Sequence, residues 1–279
     1  MGIVVKKYGG TSVGSAEKIK NVARQIIKAK KKDPEIVVVV SAMSGETDKL
    51  IALGHEICQT PDEREMDMLV STGEQVSSAL LSMALIDMGC PAISLNASQI
   101  EILTDDAHTK AKICKINTDR MIKELNAGKI VIVAGFQGIT EDENITTLGR
   151  GGSDTTAVAI AGALQADICE IFTDVDGVYT ADPRIVPEAR KLDIISYEEM
   201  LEMASLGAKV LHSRSVELAK KFGVKIHVLS SFVDVHGTIV TKEGAGMEEL
   251  LVSGITTNAK EAKITVMDIP DKPGMAGRL

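Results

Sequence analysis

Five consecutive β-branched residues, Ile36 to Val40 (IVVVV), form an apolar run with no polar alternation. Such a run suits a strand covered on both faces, as in a parallel sheet clad by helices, and not the half-solvated strand of an open antiparallel sheet. Comparable short runs recur at Ile3 to Tyr8 (IVVKKY), Ala92 to Asn96, Ile130 to Ala134, Cys169 to Thr173 and Val224 to Leu229. Between them lie helix-periodic stretches carrying Ile19, Val22, Ala23, Ile26 and Ile27, then Leu50, Ile51 and Ile57, then Met66, Leu69, Val76, Leu80, Leu81 and Leu85 facing inward. Further helices are expected from about Thr118 to Asn126, closed by Gly128, over AVAIAGALQA after Thr156, and from Tyr197 to Ser205. Ile100 to Asp106 reads as a peripheral hairpin, and the segment from Phe136 to Leu148 as a loop. The alternation predicts an α/β domain with a mainly parallel central sheet and helices on both faces.

The chain has 279 residues, enough for one large core with a smaller appendage. With 44% hydrophobic but only 3% aromatic residues, that core is built from Val, Ile, Leu, Ala and Met. A net charge of -8 argues against binding nucleic acid through phosphate neutralisation, and the cluster Lys28 to Lys32 reads as a solvated helix end. Cys58, Cys90, Cys114 and Cys169 show no CxxC pairing and read as core thiols of a reducing compartment. The N-terminus starts on a strand without a signal-like segment, and no apolar run approaches about 18 residues. A soluble, cytoplasmic protein that binds no membrane is expected.

The chemistry gathers at glycine-rich turns. In Leu148 to Thr156 (LGRGGSDTT), Gly149, Gly151 and Gly152 leave backbone amides bare at the start of a helix, where the dipole favours an anion. Arg150 adds a cation, Ser153 a hydroxyl, and Asp154 an anion able to hold a lysine or orient a metal; the plainer role for Ser153 or Asp154 is helix capping. A second strand–glycine–helix unit runs from Lys7 through Gly9, Gly10 and Thr11, with Lys7 placed to reach phosphate oxygens. It is neither a Walker A loop nor a dinucleotide fingerprint.

Ser41 and Thr47 follow a buried strand, where ligands of α/β sheets collect. Ser71-Thr72-Gly73-Glu74 interrupts a long apolar helix and is expected to be a break that exposes Glu74, suited to an ammonium group. The polar stretch after Thr173, DVDGVYTADPR, offers Asp174 for a nucleotide or Mg²⁺, Tyr179 for a base and Arg184 for phosphate; its spacing is not that of an EF-hand. Gly207-Ala208-Lys209 sets a second lysine before another helix.

Taken together, KYGGTSVGS, VVVVSAMSGETD, STGEQVS, TLGRGGSDTTA, FTDVDGVYTADPR and GAKVLH, in this order over nearly the first 240 residues, resemble the amino acid kinase family, and within it the aspartate kinases. The resemblance implies a three-layer α/β/α sandwich of the carbamate kinase-like type over residues 1–245. It implies that Lys7 and Lys209 stabilise the transferring phosphoryl group with Asp154 organising them, and that Gly9, Gly10, Thr11, Thr173, Asp174, Tyr179 and Arg184 contact ATP. Ser41, Thr47, Glu74, Arg150, Gly152 and Ser153 would form the L-aspartate site, with Mg²⁺ accompanying ATP and no protein ligand assigned to it. Glutamate or N-acetylglutamate as acceptor, or a non-catalytic sensor of the same fold, are the competing readings.

Two departures stand out. Ser213 follows the GAKVLH histidine where the family commonly has Pro, and is expected to cap the helix instead. Residues 246–279 resemble a linker and the opening of an ACT regulatory domain, an α+β unit that would be incomplete here, so a fragment of a longer, lysine- or threonine-regulated homo-oligomer is expected.

Overall fold

A computed structural model describes residues 2–207, 210–242 and 254–256. The elements, in chain order, are β1 (Val4–Tyr8), α1 (Ala16–Lys30), β2 (Ile36–Val40), α2 (Glu46–Ile57), α3 (Glu63–Val70), α4 (Thr72–Asp87), β3 (Ala92–Leu95), β4 (Ile102–Thr104), β5 (Ile113–Ile116) and α5 (Asp119–Asn126). They continue with β6 (Ile130–Ala134), β7 (Gln137–Ile139), β8 (Ile145–Thr147), α6 (Gly152–Ala163), β9 (Ile168–Thr173), β10 (Ile194–Ser196), α7 (Tyr197–Ser205), α8 (Ser213–Phe222), β11 (Ile226–Ser230) and β12 (Thr238–Thr241).

The central sheet has the order β10-β12-β11-β9-β1-β2-β6-β3, and only the β11–β12 pair is antiparallel. The β-branched run of β2 is buried at every position between β1 and β6. One face packs on α1 and α4, through Ile19, Val22, Ile26, Leu81 and Leu85. The other packs on α5, α6, α7 and α8, through Met121, Val158, Ile160, Met200 and Val216. This is the expected three-layer sandwich. Local signals agree with it: Ser15 caps α1 by accepting the Lys18 amide, and Ser196 with Glu199 closes a capping box on α7.

Several sequence expectations need correction. The segment from Phe136 to Leu148 is not a loop but a hairpin, β7–β8, which joins β4 and β5 in a separate four-stranded sheet. The short strands β10, at one edge of the sheet, and β12, next to it, carry too few residues to stand out from their polar surroundings. Ser213 is the first residue of α8 and makes no side-chain cap; His212 holds the N-cap position. Cys90 and Cys169 are buried, but Cys58 and Cys114 are exposed.

Helix α4 follows the expected pattern at Leu81 and Leu85 but not at Val76 and Leu80. Val76, Leu80, Met83 and Ile86 face outward, while Ser77, Ser78 and Ser82 are buried with Leu81 and Leu85. Small hydroxyl side chains can face inward because they bond back to their own helix, Ser78 to the Gln75 carbonyl at 2.9 Å and Ser77 to that of Gly73 at 3.4 Å. Among the described residues, the stretch Glu63–Asp87 is long and apolar enough to cross a membrane by length and composition, yet 50% of its most apolar window is buried inside the fold. Of the expected ACT segment, only 254–256 fall within the described residues.

Candidate active site

Parallel strands point their carboxyl ends the same way, so β1, β2, β6, β9 and β11 deliver Gly9, Ser41, Gly135, Asp174 and Ser231 to one edge of the sheet. The ladder continues past the strands: Ser41 N–H donates to Tyr8 O at 3.1 Å, Gly135 N–H to Val40 O at 3.0 Å, and Ser231 N–H to Thr173 O at 2.9 Å. Below the first turn, Tyr8 stacks on Phe172 with ring centroids 4.6 Å apart.

Close approach of backbones shapes this edge. A Cβ on Gly10 would stand 2.7 Å from the Ala42 carbonyl oxygen, and one on Gly135 would stand 2.9 Å from the Ser153 Cβ. Such distances exclude any side chain without a backbone shift. The Lys7 side chain, near the end of β1, reaches Asp154 in the first turn of α6, with Nζ 2.7 Å from Oδ1. Both are mostly shielded from solvent. A fixed anion thus holds the lysine cation beside the Gly9–Gly10 turn.

Helix α6 begins behind Gly151, whose φ of 70° is left-handed, and has no side-chain cap, so neither Ser153 nor Asp154 plays the capping role. Among the described residues the amides of Ser153 and Asp154 take no backbone acceptor. That leaves free donors at a positive helix end, the arrangement that binds anions. Gly152 is equally constrained, since a Cβ there would lie 2.7 Å from the Phe136 ring.

Glu74 is buried, not exposed. The expected break in the helix falls at Ser71, between α3 and α4; Gly73 lies in the first turn of α4, where a Cβ would be 2.8 Å from the Ala42 Cβ, and this near contact carries Glu74 inward. Glu74 Oε1 accepts the Ala42 amide at 3.0 Å, and Oε2 is buried without a partner. Desolvation pushes its pKa up to about 7 against these hydrogen bonds. Ser41 adjoins Ala42, Thr47 lies in the first turn of α2, and Arg150 is exposed, with no ion pair among the described residues. Lys7, Asp154, Ser153, Gly10, Ser41 and Glu74 are therefore brought to one place.

The nucleotide-side candidates are less convergent. Thr173 Oγ1 donates to Asp174 at 3.1 Å, and the Tyr179 hydroxyl donates to Asp176 at 3.0 Å. Arg184 is folded onto Asp182 through Nε at 3.0 Å and Nη2 at 2.7 Å, which raises its pKa further. It is thus not extended toward the Gly9–Gly10 turn. Thr11 is exposed, its carbonyl accepting Lys18 Nζ at 2.9 Å. Lys209 lies outside the described residues. Among the described residues no three His, Cys, Asp or Glu side chains converge as a metal cage.

Sequence reasoning missed two supporting groups. Asp67, fully buried in α3, accepts from the Thr109 amide, from Thr147 Oγ1 at 2.5 Å, and pairs with His108 Nδ1 at 2.8 Å. Ser12 and Ser231 share a hydroxyl contact of 2.5 Å that ties the first glycine turn to the end of β11. In the sequence Asp67 is one of several charged residues of α3 (EREMDMLV) and nothing marks it out; nothing in the spacing points to the second pair either.

Residues 2–230 match the model of the amino acid kinase family. An aspartokinase of Pseudomonas aeruginosa is 56% identical over 281 residues, covering 100% of this chain and 68% of that protein. Among solved structures, aspartate kinase from Synechocystis is 49% identical with a TM-score of 0.78, over 88% of this chain and 40% of that one. Escherichia coli aspartokinase III in complex with aspartate and ADP is 30% identical with a TM-score of 0.79, over 88% of this chain and 65% of that one. By the family match and this identity, the chain belongs to the amino acid kinase family, in its aspartate kinase branch.

Proposed function

We infer that residues 1–245 form the catalytic domain of an aspartate kinase, moving the γ-phosphoryl group of ATP to the β-carboxylate of L-aspartate and giving 4-phospho-L-aspartate and ADP. The observation that carries this reading is the Lys7–Asp154 pair at 2.7 Å, standing where the Gly9–Gly10 turn meets the uncapped start of α6.

The acceptor carboxylate is ionised at neutral pH, so the reaction needs no general base. A carboxylate oxygen bonds to the γ-phosphorus as the bond to the β–γ bridging oxygen breaks, and ADP carries that oxygen away. Bringing two anions together is the barrier, and preorganised cations and amides lower it. In this assignment Lys7 neutralises the transferring group and Asp154 fixes the lysine. Lys209 supplies a second cation, while Thr173, Asp174, Tyr179 and Arg184 serve the nucleotide. On the acceptor side Glu74 takes the α-ammonium, Arg150 the α-carboxylate, and Ser41, Thr47, Gly152 and Ser153 complete the pocket. Arg184 must leave Asp182 to meet phosphate.

Mg²⁺ fits as a companion of the nucleotide and not as a resident ion, since the described carboxylates form no cage of three. Bound to the phosphates it supplies charge neutralisation. Escherichia coli aspartokinase III has also been solved with lysine and aspartate. We extend that to lysine, or threonine, as effector of a homo-oligomer through an ACT region that follows a linker within residues 246–279.

Incubation with MgATP and a panel of acidic amino acids, trapping acyl phosphate with hydroxylamine, tests the reading. Hydroxamate from aspartate alone is expected. Hydroxamate from glutamate or N-acetylglutamate alone, or ATP binding without any product, would overturn it.

A further inference from the structure

The turn that carries Arg150 is closed within itself by the Gly152 N–H to Gly149 O bond at 3.0 Å. Leu148 is followed by Gly149 at φ 72° and Gly151 at φ 70°, two left-handed glycines that gain nothing from side-chain packing of their own. Both its base and its apex rest on the start of α8. At the apex, a Cβ on Gly151 would stand 2.4 Å from the His212 Cβ, so the bare backbone lies directly on that side chain. At the base, Arg214 Nη1 donates to the Leu148 carbonyl at 2.7 Å.

The same guanidinium reaches a second segment. Arg214 Nη2 donates to the Ala111 carbonyl at 2.6 Å, and the Ala111 amide donates to Thr147 O at 2.9 Å. Gly149 approaches the same stretch, since a Cβ there would lie 2.9 Å from Thr109 O, and the Thr109 amide is held by Asp67. Among the described residues Arg214 makes no salt bridge; its half-buried charge is committed to two main-chain carbonyls. Desolving a guanidinium for that purpose suits a group whose value lies in geometry, because its planar fork satisfies two divergent acceptors at once and a lysine ammonium does not hold the same fixed directions.

We propose that Arg214 is a positioning residue of the acceptor site, bridging Leu148 and Ala111 so that the glycine turn holds Arg150 toward the incoming carboxylate. This rests on the assignment of Arg150 to L-aspartate.

Arg214→Ala and Arg214→Lys in the full chain test it, with hydroxamate kinetics, thermal midpoints and amide hydrogen exchange over residues 147–152. Arg214→Ala is expected to raise the KM for aspartate about tenfold or more, the scale of a lost charged hydrogen bond, with kcat and the KM for ATP changed less than about twofold. Exchange over 147–152 should quicken without ligand. Guanidinium ion at low millimolar concentration should reverse both effects, and equal ionic strength from sodium chloride should not. Arg214→Lys should fall between wild type and Ala, and decides the matter if Ala does not fold.

An unchanged KM for aspartate, or both KM values rising together with no guanidinium rescue, would overturn the proposal. Wild-type protein that makes no aspartyl hydroxamate instead overturns the function itself, and unchanged exchange in the variants then still rejects the clamp.

Discussion

Glu74 meets Ala42 across a gap that only a glycine at position 73 leaves open: Oε1 accepts the Ala42 amide at 3.0 Å, and Oε2 stays buried and unpartnered. A carboxyl with a pKa near 7 is half protonated at neutral pH, and only its ionised form attracts an ammonium group. The KM for aspartate should therefore fall as pH rises through about 7 and then level off. Initial rates across that range check this, and Glu74→Gln should raise the KM while flattening the profile.

The same carboxyl opposes folding once ionised. It titrates at its ordinary 4.5 when unfolded and at about 7 in the fold, so between those values the folded state binds more protons. Stability then declines as pH rises from 4.5 to about 7 and stays lower above. Glu74→Gln should raise the thermal midpoint at about pH 8 and leave it nearly unchanged at about pH 4, with a gain on the order of 3 kcal/mol at the upper end. Equal midpoints at both pH values would reject the buried-charge account.

Lys7 and Asp154 should behave as one unit. Removing a preorganised cation from a phosphoryl-transfer site costs on the order of a hundredfold to a thousandfold in kcat, which sets the expectation for Lys7→Ala. Asp154→Asn should lower kcat less, and the double variant should be no worse than Lys7→Ala alone, because the carboxylate acts through the lysine. Fully additive losses in steady-state assays would mean that the two act separately.

Gly10 and Gly89 separate site geometry from backbone strain. A methyl on Gly10 must displace the Ala42 carbonyl, 2.7 Å away, whereas Gly89 is at φ 78° with open space around it. Gly10→Ala should raise the KM for ATP and lower kcat together. Gly89→Ala should cost about 1 kcal/mol in denaturant unfolding and leave kinetics alone.

The layers and the glycine turns of the candidate site were legible because they rest on short-range signals. An apolar run such as Ile36 to Val40 needs cover on both faces, and a glycine turn between strand and helix presents amides wherever it occurs. What failed depends on packing partners distant in sequence. The inward serines of α4 follow from the approach of Gly73 to Ala42, 31 positions apart by residue number. Asp67 gained its role only when the hairpin strand β8 arrived beside α3.

Near Gly10, Gly73, Gly135 and Gly152, the walls of this cleft are main chain pressed against neighbouring atoms. At each of these four points there is no room even for a methyl group unless a neighbour shifts. Retuning the proposed acceptor site for a longer or shorter substrate therefore falls to its side chains, such as Thr47 and Ser41, and not to these glycines.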